Sequence, residues 1–334
     1  MQFRSLGGSG LKVSSLCMGT MTFGNQADKK TSWAMLDRAW EAGINFIDTA
    51  DGYPLGGSFE QLGSTEEFIG EWLIGKRDKF VLATKCFMPM GPNVNERGLS
   101  RKHIIEAAEH SLRRLKTDYL DLYQAHQFDP DTPIEETLRA FDDLVRQGKV
   151  RYIGVSNWKA WQVMKAQGIA DKKNYSNIVS VQPRYNLLFR LIEEELVPLC
   201  DSEGIGIISY NPLAGGMLTG RYQPGQSVEE HSRFTLGGVY QAGALYQHRY
   251  WQEPVFSAVE RYRAWCRENA YDMATTAVRW TMHQAAVSSV IIGASRPEQM
   301  EVSLAAADMP PLGQEALDWL NELWFSLPRR QDNY

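Results

Sequence analysis

Eight short apolar runs punctuate the chain: 15–19, 45–48, 80–85, 119–124, 151–155, 178–182, 205–210 and 288–292. Several are almost continuously apolar, as strands covered on both faces must be. Each is followed by a stretch with helical spacing. In the third of these, Ile104, Ile105, Ala108, Leu112 and Leu115 form one stripe, while Arg101, Lys102, Arg113 and Lys116 lie off it. The fourth carries Leu138, Phe141, Leu144 and Val145 on its inner face. Ser64 with Glu67, Thr132 with Glu135, and Ser295 with Glu298 have capping-box spacing, and Pro133 suits a first helical position. Eight strand-then-helix units predict a (β/α)8 TIM barrel, α/β in class and a single domain spanning 1–334. A doubly wound open sheet would carry Gly-x-Gly-x-x-Gly after its first strand, and Gly19-Thr20-Met21-Thr22-Phe23-Gly24 lacks that spacing.

Three segments fall outside the repeat. Gln2 to Leu6 and Leu11 to Ser15 predict an N-terminal β-hairpin, and Gly313 to Leu327 a C-terminal extra helix carrying Trp319, Leu320, Leu323 and Trp324. Tyr222 to Trp251, rich in Gly, Gln and aromatics, reads as a long functional loop.

Composition narrows the classes. Hydrophobic content of 43% and charged content of 22% are those of a globular protein, and a net charge of -5 without like-charge runs argues against a nucleic-acid partner. Cys17, Cys86, Cys200 and Cys266 have neither redox nor metal spacing and read as reduced thiols of a cytoplasmic protein. No segment approaches the roughly 20 apolar residues that span a bilayer, and no signal peptide opens the chain. A small molecule is the expected partner; oligomeric state is not encoded in these patterns.

Candidate chemistry lies at the strand ends. Asp48 and Tyr53 close the second run, Lys85 the third and His126 the fourth. Neighbouring barrel strands would gather them at the face where barrel enzymes work. Tyrosine, with a pKa of about 10, is a weak acid; Lys85 beside it is expected to lower that value, with Asp48 holding the lysine. His126 could orient a carbonyl oxygen that Tyr53 protonates. A metal-dependent barrel isomerase would need more ligands than Asp48 and His126 supply, so no metal is expected.

The segments Asp48-Thr49-Ala50 with Tyr53, Ala83-Thr84-Lys85, the run through His126, Gly154-Val155-Ser156-Asn157, Val181-Gln182-Pro183-Arg184-Tyr185-Asn186, Tyr210-Asn211-Pro212-Leu213 and Gly293-Ala294-Ser295-Arg296-Pro297-Glu298-Gln299 resemble the aldo-keto reductases. The resemblance runs from Phe3 to about Ala307. It implies NADP(H)-dependent reduction of aldehydes and ketones, with Asp48, Tyr53, Lys85 and His126 as the catalytic tetrad and Tyr53 the proton donor. It also implies a cofactor site. Gly19, Thr20 and Met21 would lie along it, Ser156, Asn157 and Gln182 would bond the carboxamide, and Tyr210 would stack on the nicotinamide. Asn211, Pro212, Leu213, Gly215, Leu218, Gly220 and Arg221 would surround the pyrophosphate. Ile292, Gly293, Ala294, Ser295, Arg296 and Gln299 would reach the adenosine end, with Ser295 and Arg296 opening the last barrel helix at the 2′-phosphate.

Two departures stand beside it. Val302-Ser303 replace a frequent Glu-Asn, and Pro54 to Gly63 lengthens the loop after Tyr53. Met21, Phe23, Phe87, Met88, Trp158, Tyr240, Tyr246, Tyr250 and Trp251 are candidate pocket walls. The resemblance extends to relatives that act as regulatory subunits of ion channels, which leaves an NADPH-binding regulator as the alternative.

Overall fold

The computed structural model describes residues 1–230 and 232–328. All eight apolar runs form strands: β3 (Leu16–Gly19), β4 (Phe46–Asp48), β5 (Val81–Cys86), β6 (Leu120–Ala125), β7 (Val150–Ser156), β8 (Ile178–Gln182), β9 (Gly206–Ser209) and β10 (Val287–Ile292). They pair in parallel and in chain order, and β10 closes on β3. The expected hairpin is β1 (Phe3–Ser5) with β2 (Lys12–Ser14). Its Leu6 and Val13 pack with Cys17, Phe46, Val81, Ala83, Leu122 and Ile208, sealing the barrel's N-terminal end.

The surrounding helices are α1 (Lys29–Glu41), α2 (Ser64–Trp72), α3 (Arg101–Arg114), α4 (Ile134–Arg146), α5 (Ala160–Lys173), α6 (Leu196–Glu203), α7 (Ala242–Tyr250), α8 (Glu253–Glu268), α9 (Met273–Met282), α10 (Glu298–Ala305) and α11 (Gln314–Phe325). The α3 stripe buries Ile104, Ala108 and Leu112 as expected, with Leu115 just beyond its end. The α11 face buries Leu320 and Leu323, and Trp319 stacks on Trp265 of α8 at 4.7 Å. None of these helices is long and apolar enough, among the described residues, to cross a membrane.

The three capping boxes are not formed. Gly63, Pro133 and Pro297 precede α2, α4 and α10 without side-chain caps. Thr132 Oγ1 donates instead to Asp129 at 2.8 Å. The helices that do have side-chain N-caps use Asp28, Ser100 and Asp272.

Register sets the inside of the barrel. Lys85 pairs with Gln124, Gln124 with Gly154 and Gly154 with Ser180, so these four share one level and one face. Ser156 and Gln182 pair one step higher. Below them the lining is apolar; here it turns polar.

Candidate functional site

The polar level is organised around one ion pair. Lys85 Nζ donates to Asp48 Oδ2 at 2.6 Å and to the Thr49 carbonyl at 2.8 Å. Both side chains are essentially buried, at 0% and 3% exposure. The other carboxylate oxygen of Asp48 accepts from Gln182 Nε2 at 2.8 Å and Gln124 Nε2 at 3.2 Å. The buried Asp48 carboxyl thus has three side-chain donors, the arrangement that burying such a group requires. Burial alone would lower the Lys85 pKa, but Asp48, Tyr53 and Cys17 together raise it above its ordinary value.

Tyr53 lies beyond β4 in a turn closed by its N–H on the Ala50 carbonyl. Its ring centroid is 5.3 Å from Lys85 Nζ and 5.9 Å from the His126 ring. The expected lowering of its pKa is not what the site produces. Burial pushes the phenol up to about 12, with Lys85 pulling down and Asp48 pushing further up. Desolvation of the phenolate outweighs one ammonium already shared with a carboxylate. His126 follows β6; burial first, then Lys85, holds its imidazole well below the ordinary value. The ring is therefore neutral, and its Nδ1 is buried without a hydrogen-bond partner.

The remaining expected positions follow the rim round from β7 to β3. Ser156 Oγ donates to the Gln182 carbonyl at 2.9 Å. Asn157 Nδ2 donates to the His126 carbonyl at 3.1 Å and to Ser156 Oγ at 3.0 Å. Tyr210 OH donates to Asn157 Oδ1 at 2.9 Å, which fixes the Tyr210 ring at the end of β9. Asn157 has φ 58 and does not cap α5, whose N-cap is Lys159.

In the loop that follows, Asn211 Oδ1 accepts from Gly215 N–H at 2.7 Å. Gly215 and Gly216 have φ 70 and 102. A Cβ on Gly215 would lie 3.0 Å from the Tyr246 ring and 3.3 Å from Phe234. Pro212, Leu213, Leu218 and Gly220 belong to this turn, and Arg221 is ion-paired with Glu229 of the long segment. Across the barrel, Gly19 and Thr20 continue from β3; Thr20 N–H and Oγ1 both donate to the Asp48 carbonyl, and the Met21 carbonyl accepts from Leu55. Ile292 ends β10, while Gly293 and Ala294 lead off it; the Ala294 carbonyl accepts from Thr22. Ser295 and Arg296 do not open α10: they sit in the turn ahead of Pro297, where Gln299 Oε1 accepts from Ser295 N–H and Oγ. Arg296 is exposed.

These residues fit an elongated ligand with an amide at one end and anions along its length. Amide and hydroxyl groups converge at β7 and β8, a left-handed glycine turn without side chains lies beside β9, and an exposed guanidinium stands at β10.

The walls divide differently from expectation. Phe23 and Trp158 are buried core residues. Tyr250 accepts from Asn211 and Asn186 inside the fold, and Trp251 packs among Tyr222, Phe234 and Phe256. Met21, Phe87, Met88 and Tyr240 remain part-exposed. Tyr240 OH donates to the Pro89 carbonyl at 3.0 Å, and a Cβ on Gly52 would meet that hydroxyl at 2.7 Å. The lengthened loop also meets the long segment, with Val239 N–H on the Gly57 carbonyl at 3.0 Å.

Two features escape sequence reading. Behind the site, Glu66 accepts from Thr84 at 2.6 Å and Arg114 at 2.7 Å. Next to it, fully buried Asp51 has its carboxyl raised well above the usual range, by burial first and then by Glu66. Only tertiary folding brings Arg114 there. Gln124, by contrast, is signalled by strand alternation: two residues before His126, it must face inward.

Known proteins are similar to this chain over nearly its whole length. The model of the Aldo/keto reductase family matches residues 15–324. A probable voltage-gated potassium channel subunit beta of Arabidopsis thaliana is 37% identical over 100% of both chains. An uncharacterized oxidoreductase of Bacillus subtilis is 36% identical over 97% of this chain and 96% of its own. A putative aryl-alcohol dehydrogenase of Schizosaccharomyces pombe is 33% identical over 97% and 95%. A match over nearly the whole barrel, in relatives of the same length, has one meaning: the protein belongs to the aldo/keto reductase family.

Proposed function

We propose that this chain reduces aldehydes and ketones to alcohols with NADPH, reversibly, using Tyr53 as proton donor. The observation that carries the reading is the buried Lys85–Asp48 pair beside a phenol that stays protonated throughout the neutral range. When bound, a reduced nicotinamide supplies the hydride for the carbonyl carbon. The C=O π pair moves onto oxygen, and Tyr53 gives that oxygen its proton. The phenolate left behind faces the Lys85 ammonium, whose attraction counts most once charge has developed. Asp48 keeps Lys85 charged and in place. Neutral His126 can donate one N–H to the carbonyl oxygen and orient it. Met21, Phe87, Met88 and Tyr240 favour aromatic or medium-chain aldehydes over free sugars. Four buried free thiols and the family relationship favour a cytoplasmic setting, with the whole chain acting as one unit.

A second reading has an observation of its own: the Arabidopsis relative that matches from end to end is named a channel subunit. Under it the chain binds NADPH tightly and turns over slowly or not at all. An aldehyde and ketone panel with NADPH and NADH separates the two. Steady NADPH-dependent turnover, abolished in Tyr53→Phe while NADPH still binds, supports the reductase. Near-normal turnover in Tyr53→Phe removes Tyr53 from the mechanism, and tight binding without turnover favours the regulator.

A further inference from the structure

We infer that Gln124 is a positioning residue that joins the Asp48–Lys85 pair to the amide of Gln182, so that cofactor site and proton-donor site are oriented as one unit. Gln124 is fully buried at the polar level of the barrel, next in register to Lys85. Its Nε2 donates to Asp48 Oδ1 at 3.2 Å, and its Oε1 accepts from Gln182 Nε2 at 3.4 Å. Gln182 Nε2 also donates to the same Asp48 oxygen at 2.8 Å. The three side chains therefore close a ring of hydrogen bonds.

The ring has a directional consequence. Both N–H groups of Gln182 are engaged, so its Oε1 is the part of the amide left to meet a ligand, as an acceptor. An arriving carboxamide must present its NH2 to Gln182 and its oxygen elsewhere. Gln124 enforces this by taking the second N–H.

The barrel makes room for the arrangement. The residue opposite Gln124 on β7 is Gly154, and a Cβ there would lie 3.2 Å from Gln124 Cγ and 2.6 Å from Ser180 Oγ. Any side chain at 154 would press Gln124 off its line to Asp48. Gln124 has no room to reach substrate past Lys85 and His126, so its action passes through Asp48 and Gln182.

The inference rests on the reductase reading, and its test separates the two. Gln124→Met keeps the length and removes both hydrogen bonds; Gln124→Asn keeps an amide one methylene short. Both are compared with Gln182→Met and the Gln124→Met/Gln182→Met double variant. An aromatic aldehyde reports kcat and KM, and fluorescence quenching by NADPH reports binding. A lost hydrogen bond to a charged group predicts kcat lower by about tenfold or more in Gln124→Met, a smaller drop in Gln124→Asn, and little change in aldehyde KM. The double variant loses less than the product of the two single losses, because the three side chains share one network. Native kcat in folded Gln124→Met overturns the inference, and so do losses that multiply in the double variant. If the native protein turns over no carbonyl at all, the reductase reading fails and NADPH affinity decides. Severalfold weaker binding in Gln124→Met supports the inference, and native affinity overturns it.

Discussion

Replacing Lys85 by Met removes the cation and leaves its carboxylate in place. Asp48 is then a buried charge, 3% exposed, with only the amides of Gln124 and Gln182 to hold it. Breaking a buried ion pair from one side costs about 3–5 kcal/mol, because the remaining charge keeps its desolvation penalty and loses its partner. The Thr49 carbonyl also loses its donor. For an unfolding slope of about 3 kcal/mol per M, the urea midpoint should fall by about 1–1.7 M at pH 7. Lys85→Met/Asp48→Asn should regain most of the lost midpoint at pH 7 while remaining inactive, since the amide has no charge to strand. Equilibrium urea unfolding followed by tryptophan fluorescence at pH 7 measures all of this. A single variant with the native midpoint, or a double variant no more stable than the single one, would refute the account of Asp48 as a carboxylate held by its cation.

Three further outcomes test other parts of the molecule. Gly238 has φ +70, and a Cβ there would lie 2.4 Å from the Gly56 carbonyl carbon and from Gly57 O; Gly238→Ala should undock the long loop, raising KM for the carbonyl severalfold while the urea midpoint barely moves, as for a local opening. Under the proposed reading Arg296 faces the 2′-phosphate, so Arg296→Ala should weaken NADPH binding about tenfold and leave NADH unchanged in a fluorescence titration; equal losses would remove that role. His126 is held neutral in the fold, so its contribution is fully present above the unfolded value of about 6.5 and is lost as pH falls below it, at about 1.4 kcal/mol per pH unit. His126→Asn should flatten that slope between pH 6.5 and 5 in urea unfolding.

The strands were legible because a parallel barrel buries both faces of each one, leaving continuous apolar runs that periodicity cannot misplace. The helix starts were not, because Ser64, Thr132 and Ser295 have the right spacing but form no side-chain caps; Ser295 is tied instead to Gln299 and Thr132 to Asp129. The long segment 222–251 read as a loop on its Gly and Gln content, yet it forms α7, with Tyr246 turned onto Gly215. Strand-end chemistry was legible because titratable residues stand out against apolar runs. Gln124 does not titrate and was passed over, although the alternation that points Lys85 inward points Gln124 inward too. The rise of the Tyr53 pKa was beyond reach in principle, since desolvation depends on how completely the surrounding loops close.

That rise bears on how the site works. A phenol pushed up to about 12 is, at rest, a worse acid than free tyrosine. Under the proposed reading, transfer is driven by the alkoxide that develops on the carbonyl oxygen, a far stronger base than any side chain around Tyr53, and the acid needs only to be protonated and adjacent when it forms. Lys85 is fixed by Asp48 before the reaction and needs no reorganisation to meet the new phenolate. Burial that disfavours ionisation at rest also strengthens that attraction, because the same low dielectric acts on both. On the proposed reading, the closed polar ring of Asp48, Gln124 and Gln182 holds the carboxylate still, so that Lys85 remains placed for the one moment in which Tyr53 carries a charge.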